Sequence, residues 1–219
     1  MFFGLIVNGP KVYSKMKNKN VTIHIVDDDP SMLRYLSELV STIDYKSKTY
    51  DNANDFLSAY CDDGIGCLVL DLRLPGISGL ELQQQLASNN IDLPVIMISG
   101  FGDVSTAVKA MKAGVLDFLE KPFKGQDLLD LIHNAVNKHK VDRHKNSSQN
   151  KTLERINSLT KREKEVMELV ITGTLNKDIA KQLEISVKTV EVHRANVMDK
   201  MAVSSVADLV RMSLEVKDL

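Results

Sequence analysis

An aspartate that closes an apolar run of strand length projects its carboxylate from the strand's C-terminal edge, where open α/β sheets gather ligands and chemistry. Asp71 is such a residue, ending the run Cys67-Leu68-Val69-Leu70 and preceding Leu72-Arg73-Leu74-Pro75-Gly76. Three other strand-like runs end in groups able to join it. Val21–Val26 ends in Asp27-Asp28-Asp29, Val95–Ile98 ends in Ser99, and Val115–Leu119 leads to Glu120-Lys121-Pro122. Acids, a hydroxyl and an amine converging on one carboxylate suit metal-assisted acceptance of a phosphoryl group. Clustered carboxylates repel one another unless a cation lies among them, and a hard ion such as Mg²⁺ takes oxygen ligands. Each residue also has a plainer reading. Asp27–Asp29 fits an acidic helix start, Asp71 a loop acid, Ser99 a turn residue and Lys121 a solvated surface lysine.

These groups meet only if their strands lie side by side. Strand-like and helix-like runs alternate from Val21 to about Lys140, which predicts a parallel sheet covered on both faces. Asp29 and Pro30 mark a helix start, after which Met32, Leu33, Leu36, Leu39, Val40 and Ile43 repeat at helical spacing. A weaker strand near Tyr45–Tyr50 precedes a helix at Ala53–Tyr60. Strands at Cys67–Leu72, Val95–Ile98 and Val115–Leu119 are followed by helices at Leu80–Ala87, Val104–Ala113 and Gln126–Lys138.

Residues 139–152 hold little apolar content and read as a hydrophilic linker. Beyond Leu153 the strand pattern ends. Thr160-Lys161-Arg162-Glu163 forms a capping box, Gly173 stops its helix, and Asn176–Leu183 is a short second helix. Ser186 caps a third at Val187–Met201, and Ser204 or Ser205 opens a fourth. Four short helices with tight turns suggest a helix-turn-helix module. The expected division is therefore 1–20 as an N-terminal extension, 21–138, a linker at 139–152, and 153–219.

The 219 residues are 43% hydrophobic and 26% charged, a composition of soluble globular proteins. The net charge of −1 hides an asymmetry. Residues 21–140 carry ten basic and seventeen acidic side chains, and residues 151–219 carry twelve and eleven. An acidic first half favours a divalent cation over a nucleic acid, so any DNA contact in the second half needs a locally basic face. Cys61 and Cys67 lack metal-like or CxxC spacing and read as reduced thiols. The apolar start Met1–Val7 is too short to span a bilayer and its lysines follow it, unlike a secretory signal. A cytoplasmic protein without membrane contact is expected, with Met16 as an alternative start.

Residues 21–138 resemble a response-regulator receiver domain, on Val26-Asp27-Asp28-Asp29, Leu70-Asp71-Leu72-Arg73-Leu74-Pro75-Gly76, Ile98-Ser99-Gly100 and Lys121-Pro122-Phe123. The resemblance implies a flavodoxin-like, five-stranded parallel sheet in the order 2-1-3-4-5. It implies that Asp71 accepts a phosphoryl group from a sensor histidine kinase. Asp27, Asp28, Asp71 and the Arg73 carbonyl would hold Mg²⁺, while Lys121 and Ser99 would contact the phosphoryl oxygens. Phe118 matches the family's switch aromatic. The dimer face expected on phosphorylation draws on Val104, Val108, Met111 and Lys112. Phe101, two beyond Ser99, cannot orient water, so a long-lived phosphorylated state is expected. A receiver catalyses only its own phosphotransfer and dephosphorylation, so the chain is not expected to be an enzyme. An aspartyl phosphatase would typically need an acid where Arg73 stands. A DNA-binding protein that uses its receiver only for interaction is the other competitor.

Residues 159–211 resemble a LuxR-type helix-turn-helix, on Leu159-Thr160-Lys161-Arg162-Glu163, Asn176-Lys177-Asp178-Ile179-Ala180 and Ser186–Arg194. Together the two parts resemble FixJ-like regulators, which implies promoter DNA and RNA polymerase as partners. On a helical wheel Val187, Val190, Val197, Met198 and Met201 share one side of the third helix. Lys188, Val192, Ala195, Asn196 and Asp199 lie opposite, on the natural major-groove face. The expected DNA-binding residues are Lys177, Ser186, Lys188, Thr189, Glu191, Val192, His193, Ala195 and Asn196. Arg194 falls inward and is expected to pair with an acid of the first helix.

Overall fold

Period-two alternation in the central strands decides what each face of the sheet covers. The computed structural model describes residues 20–62, 64–100 and 104–217. Expectations resting on residues 1–19, on Phe101 and on the side chain of Val104 lie outside that description. The chain divides into two units, the first reaching Lys140 and the second starting at Val141.

In the first unit, β1 (Val21–Val26), β2 (Lys46–Tyr50), β3 (Ile65–Asp71), β4 (Val95–Ser99) and β5 (Asp117–Glu120) alternate with helices. These are α1 (Pro30–Ser41), α2 (Ala53–Ala59), α3 (Gly79–Ser88), α4 (Val104–Lys112) and α5 (Gly125–Ser158). The strands pair in parallel in the order β2-β1-β3-β4-β5. Ile23, Ile25, Cys67, Val69, Ile96 and Ile98 face Leu36 and Val40 of α1 and Leu128, Ile132 and Val136 of α5. Their neighbours Val26, Leu68, Leu70 and Met97 pack on the other face with Phe56 of α2, Leu82 and Leu86 of α3, and Ala110 of α4. Both faces are thus dry, which explains the unbroken apolar runs. Burial also pushes the Cys67 thiol far above its ordinary pKa, so it packs as a small apolar group.

At Gly66 in β3 the neighbouring strand leaves no room for a side chain. A Cβ there would lie 1.9 Å from the Thr22 carbonyl oxygen. The buried imidazole of His139 reaches the same residue, with Nδ1 3.1 Å from the Gly66 nitrogen and 2.9 Å from its oxygen.

The stretch 139–152, expected as a hydrophilic linker after a helix ending near Lys138, is helical, because α5 runs unbroken from Gly125 to Ser158. Neither Gly nor Pro occurs between Gln126 and Ser158. Polarity removes a reason to be buried but not a reason to be helical. The fifth strand also starts later than expected, at Asp117.

In the second unit, α6 (Lys161–Ile171), α7 (Asn176–Gln182), α8 (Val187–Met201) and α9 (Val206–Lys217) follow the end of α5. The Thr160–Glu163 capping box starts α6, and Gly173 with a φ of +82° follows its C-cap Thr172. Ser186 caps α8 by accepting the Thr189 N–H, and Ala202 closes it in the left-handed region. Leu159, Val166, Met167, Val170, Ile179, Val190, Val197, Met201 and Leu209 form the core. Val187, expected inside, is 43% exposed as the first residue of α8.

Candidate functional site

Parallel pairing delivers the carboxylates of β1 and β3 to one edge. Asp27 follows Val26, the last residue of β1, and its N–H donates to the Tyr50 carbonyl at the end of β2. Asp71 ends β3, and both side chains are buried. Lys121 reaches between them from the end of β5. Its Nζ donates to Asp27 Oδ2 at 2.8 Å and to Asp71 Oδ1 at 2.6 Å. The Lys121 N–H donates to the Ser99 carbonyl at 2.7 Å, which fixes the lysine beside the buried Ser99. The remaining carboxylate oxygens are held by the loops that follow. Asp27 Oδ1 accepts the Asp29 N–H at 2.9 Å, and Asp71 Oδ2 accepts the Arg73 N–H at 2.6 Å.

Burial raises the Asp27 pKa, a rise only partly offset by its hydrogen bonds from Lys121 and Asp29. For Lys121, burial pulls the ammonium down, but hydrogen bonds to Asp27 and Asp71 prevail and leave its pKa raised. Two buried carboxylates therefore share one cation, and negative charge is in excess. That donor set fits a small hard cation: two carboxylates are already aimed at one space, with Asp28 beside them on the surface. Asp27 and Asp71 meet at Lys121, and Asp28 lies exposed beside them. Among the described residues, no three acidic, histidine or cysteine side chains form a ready-made cluster. The bland expectation for the acidic run holds for Asp29 alone, which caps α1 through the Ser31 N–H at 2.8 Å.

Phe118 is half-buried against the α2–α3–α4 core. On α4, Val108 is 47% and Met111 50% exposed, with Lys112 exposed beside them. On α8, Lys188, Glu191, Val192, Ala195 and Asn196 are exposed, as are Ser186 and Lys177. Thr189 is half-buried, and its hydroxyl lies 2.7 Å from Ser186 Oγ. His193 is half-buried with Nδ1 turned inward.

Arg194 does turn inward, but its Nη1 donates to Asn176 Oδ1 of α7 at 2.9 Å, not to an acid of α6. The acid of α6 is taken instead by Lys200, whose Nζ lies 2.7 Å from Glu163 Oε2. Arg162 Nη2 donates to the Leu183 carbonyl, closing the end of α7. Sequence reasoning did not single out Lys200 or Arg162, because a helical wheel does not show which neighbouring helix a side chain meets. Lys200 is the penultimate residue of α8, where its side chain reaches the start of α6.

Residues 23–133 match the family model "Response regulator receiver domain", and residues 157–213 match "Bacterial regulatory proteins, luxR family". The response regulator protein TmoT of Ectopseudomonas mendocina is 45% identical over 93% of this chain and 92% of its own length. The transcriptional regulatory protein FixJ of Rhizobium meliloti is 42% identical over 88% and 95%. Among solved structures, response regulator StyR aligns with a TM-score of 0.83 at 40% identity, covering 90% of this chain and 99% of that one. Full-length FixJ from B. japonicum aligns at 0.57 and 37% identity, covering 92% and 99%.

Proposed function

Because this chain belongs to the response regulators that join a receiver to a LuxR-type DNA-binding domain, we propose that Asp71 is its phosphoacceptor and that phosphorylation controls promoter binding. The observation that carries this reading is the Lys121 ammonium held between Asp27 and Asp71. It marks a site where charge is counted, and where an added anion at Asp71 must change partners.

An Asp71 oxygen attacks the phosphorus of a phosphohistidine on a sensor kinase. As the new O–P bond forms, the N–P bond breaks and its electron pair stays with the imidazole. Mg²⁺, held by Asp27, Asp28, Asp71 and the Arg73 carbonyl, would neutralise charge on the transferred oxygens. Lys121 pairs with one phosphoryl oxygen and Ser99 donates to another. The added −1.5 to −2 charges, about the usual value for a phosphoryl group, draw Ser99 toward Asp71 and give Phe118 room to turn inward. The face bearing Val104, Val108, Met111 and Lys112 then pairs two copies, and the paired α8 helices read two half-sites. Lys188 reaches phosphate or guanine, Glu191 accepts from cytosine and Val192 touches a thymine methyl. Lys177, Ser186, Thr189, His193, Ala195 and Asn196 complete the contact surface, and bound dimers recruit RNA polymerase.

The test is stoichiometric labelling from a phosphodonor. Asp71→Asn should abolish it, and one full equivalent on that variant would remove the proposal. In the intact protein, beryllofluoride should increase both mass by light scattering and affinity for promoter DNA.

A further inference from the structure

We infer that α3 provides a second route from the phosphoacceptor to the α4 face, through Gly79 and Gln83 and separate from Ser99 and Phe118. The inference rests on the phosphorylation reading and goes beyond it. Gly79 and Gln83 stand four residues apart on α3, so they share its inward side, and both are buried. At Gly79 the helix start is pressed against the backbone of the phosphoacceptor itself. The Gly79 N–H donates to the Leu72 carbonyl at 3.0 Å. A Cβ on Gly79 would lie 2.3 Å from the Asp71 carbonyl oxygen and 3.0 Å from Leu72 Cα. With no room for even a methyl group, the Asp71 peptide cannot shift toward α3 without moving it.

One turn along, Gln83 reaches out of α3 to the end of α4. Its Nε2 donates to the Ala113 carbonyl at 3.2 Å. Ala113 directly follows α4, where helix carbonyls run out of intrahelical partners. The chain then reverses at Gly114, whose φ is +89° and whose Cβ position lies 3.6 Å from the same Nε2. One amide therefore bonds the residue that ends α4 and packs beside the turn into β5.

The other half of that amide is bare. Gln83 Oε1 is buried and accepts no hydrogen bond among the described residues. The bond to Ala113 fixes which end is nitrogen, so exchanging the two ends cannot satisfy the oxygen. Leu82, Leu86, Ala110 and Val115 pack the same side of the sheet, and a leucine at position 83 would serve plain packing at lower cost. An incompletely satisfied buried contact is one that a small displacement can tip. Gln83 is thus a positioning residue: it ties the end of α4 to a helix wedged against Asp71, and transmits movement of the Asp71 peptide to the face bearing Val108 and Met111.

The experiment uses the full chain, with beryllofluoride as the phosphoryl mimic and two readouts. The first is the backbone amide resonances of Ala113 and Gly114. The second is the gain in affinity for promoter DNA that the mimic produces. In the unsubstituted protein both amides should shift on addition of the mimic. Gln83→Leu and Gln83→Met should suppress those shifts and cut the gain by about fivefold or more, the size of a modest allosteric coupling. The rate of phosphoryl uptake at Asp71 and the thermal midpoint should stay unchanged, which a merely structural residue would not allow. Combined with Ser99→Ala, the losses should multiply, as expected of separate routes. Folded Gln83 variants that keep the full gain overturn the inference. So do Ala113 and Gly114 amides that ignore the mimic in the unsubstituted protein, a measurement needing no variant. Amides that shift without any gain in DNA affinity would instead remove the proposed function and leave this route standing.

Discussion

Replacing Glu163 by glutamine isolates what one buried charge contributes to the DNA-binding unit. Its side chain is 4% exposed. It accepts the Lys200 ammonium at 2.7 Å and the Thr160 N–H at 2.8 Å, tying the start of α6 to the last turn of α8. The Lys200 hydrogen bond first, then the Thr160 N–H, draw its pKa down from 4.5 to about 2. At about 1.4 kcal/mol per pKa unit this bounds the contribution at ~3 kcal/mol. Lys200 is 35% exposed, and solvent screening of its side of the pair leaves about 1–2 kcal/mol. A carboxylate whose pKa is lower in the folded chain stabilises it fully above the unfolded value near 4.5, and the contribution disappears as pH falls toward 2. Glutamine cannot titrate. Glu163→Gln should therefore cost about 1–2 kcal/mol at neutral pH and flatten the acid decline over that window. Urea unfolding of the full chain measures this directly. Tyr35, Tyr45, Tyr50 and Tyr60 lie in the receiver and no tyrosine follows Cys61, so tyrosine signals follow that unit while far-ultraviolet dichroism follows helices in both units. A variant as acid-sensitive as the parent would refute the assignment of the charge to folding.

Gly66→Ala should destabilise the receiver by roughly 2–4 kcal/mol, because the new methyl meets backbone rather than a movable side chain; an unchanged tyrosine-monitored midpoint would contradict the close approach to Thr22. Arg194→Ala should lower the stability of the second unit by about 1 kcal/mol through loss of its bond to Asn176, without altering base preference in a binding-site selection. Lys188→Ala and Val192→Ala should do the reverse, relaxing operator preference with the fold intact. Unchanged footprints for both would discard the exposed side of α8 as the reading face.

What the sequence disclosed and what it hid divide along a physical line. The central strands were legible because burial on both faces leaves unbroken apolar runs, and because each run ends in a polar group that has no business in a core. Strand ends therefore located Asp27, Asp71, Ser99 and Lys121 together. Helix starts were equally plain at Asp29, Thr160 and Ser186, where a side-chain oxygen must meet an orphan N–H. The continuation of α5 was not legible, since a solvated helix carries no apolar stripe and residues 139–152 offer only the absence of Gly and Pro. Nor were the partners of Arg194, Lys200 and Gln83. A helical wheel fixes which way a side chain leaves its own helix, but not what it meets there. That requires the crossing of α6, α7 and α8, or of α3 and α4, which no local pattern encodes.

Lys121 shows why the site cannot be understood one residue at a time. Its ammonium shields two carboxylates at 2.8 Å and 2.6 Å, a pairing that burial makes necessary for both partners. On the proposed phosphorylation of Asp71, one of those partners would become larger and more negative, and the ammonium would turn toward it and away from Asp27. Asp27 would then lose a hydrogen bond that partly offsets the cost of its own burial, and the proposed Mg²⁺ would take over that role. The lysine backbone meanwhile stays bonded to the Ser99 carbonyl at 2.7 Å. The residue that would register the new charge is thus fastened to the end of β4, where the proposed switch begins. In the proposed mechanism, demand for the cation and the pull on the end of β4 would both follow from that one redistribution of charge.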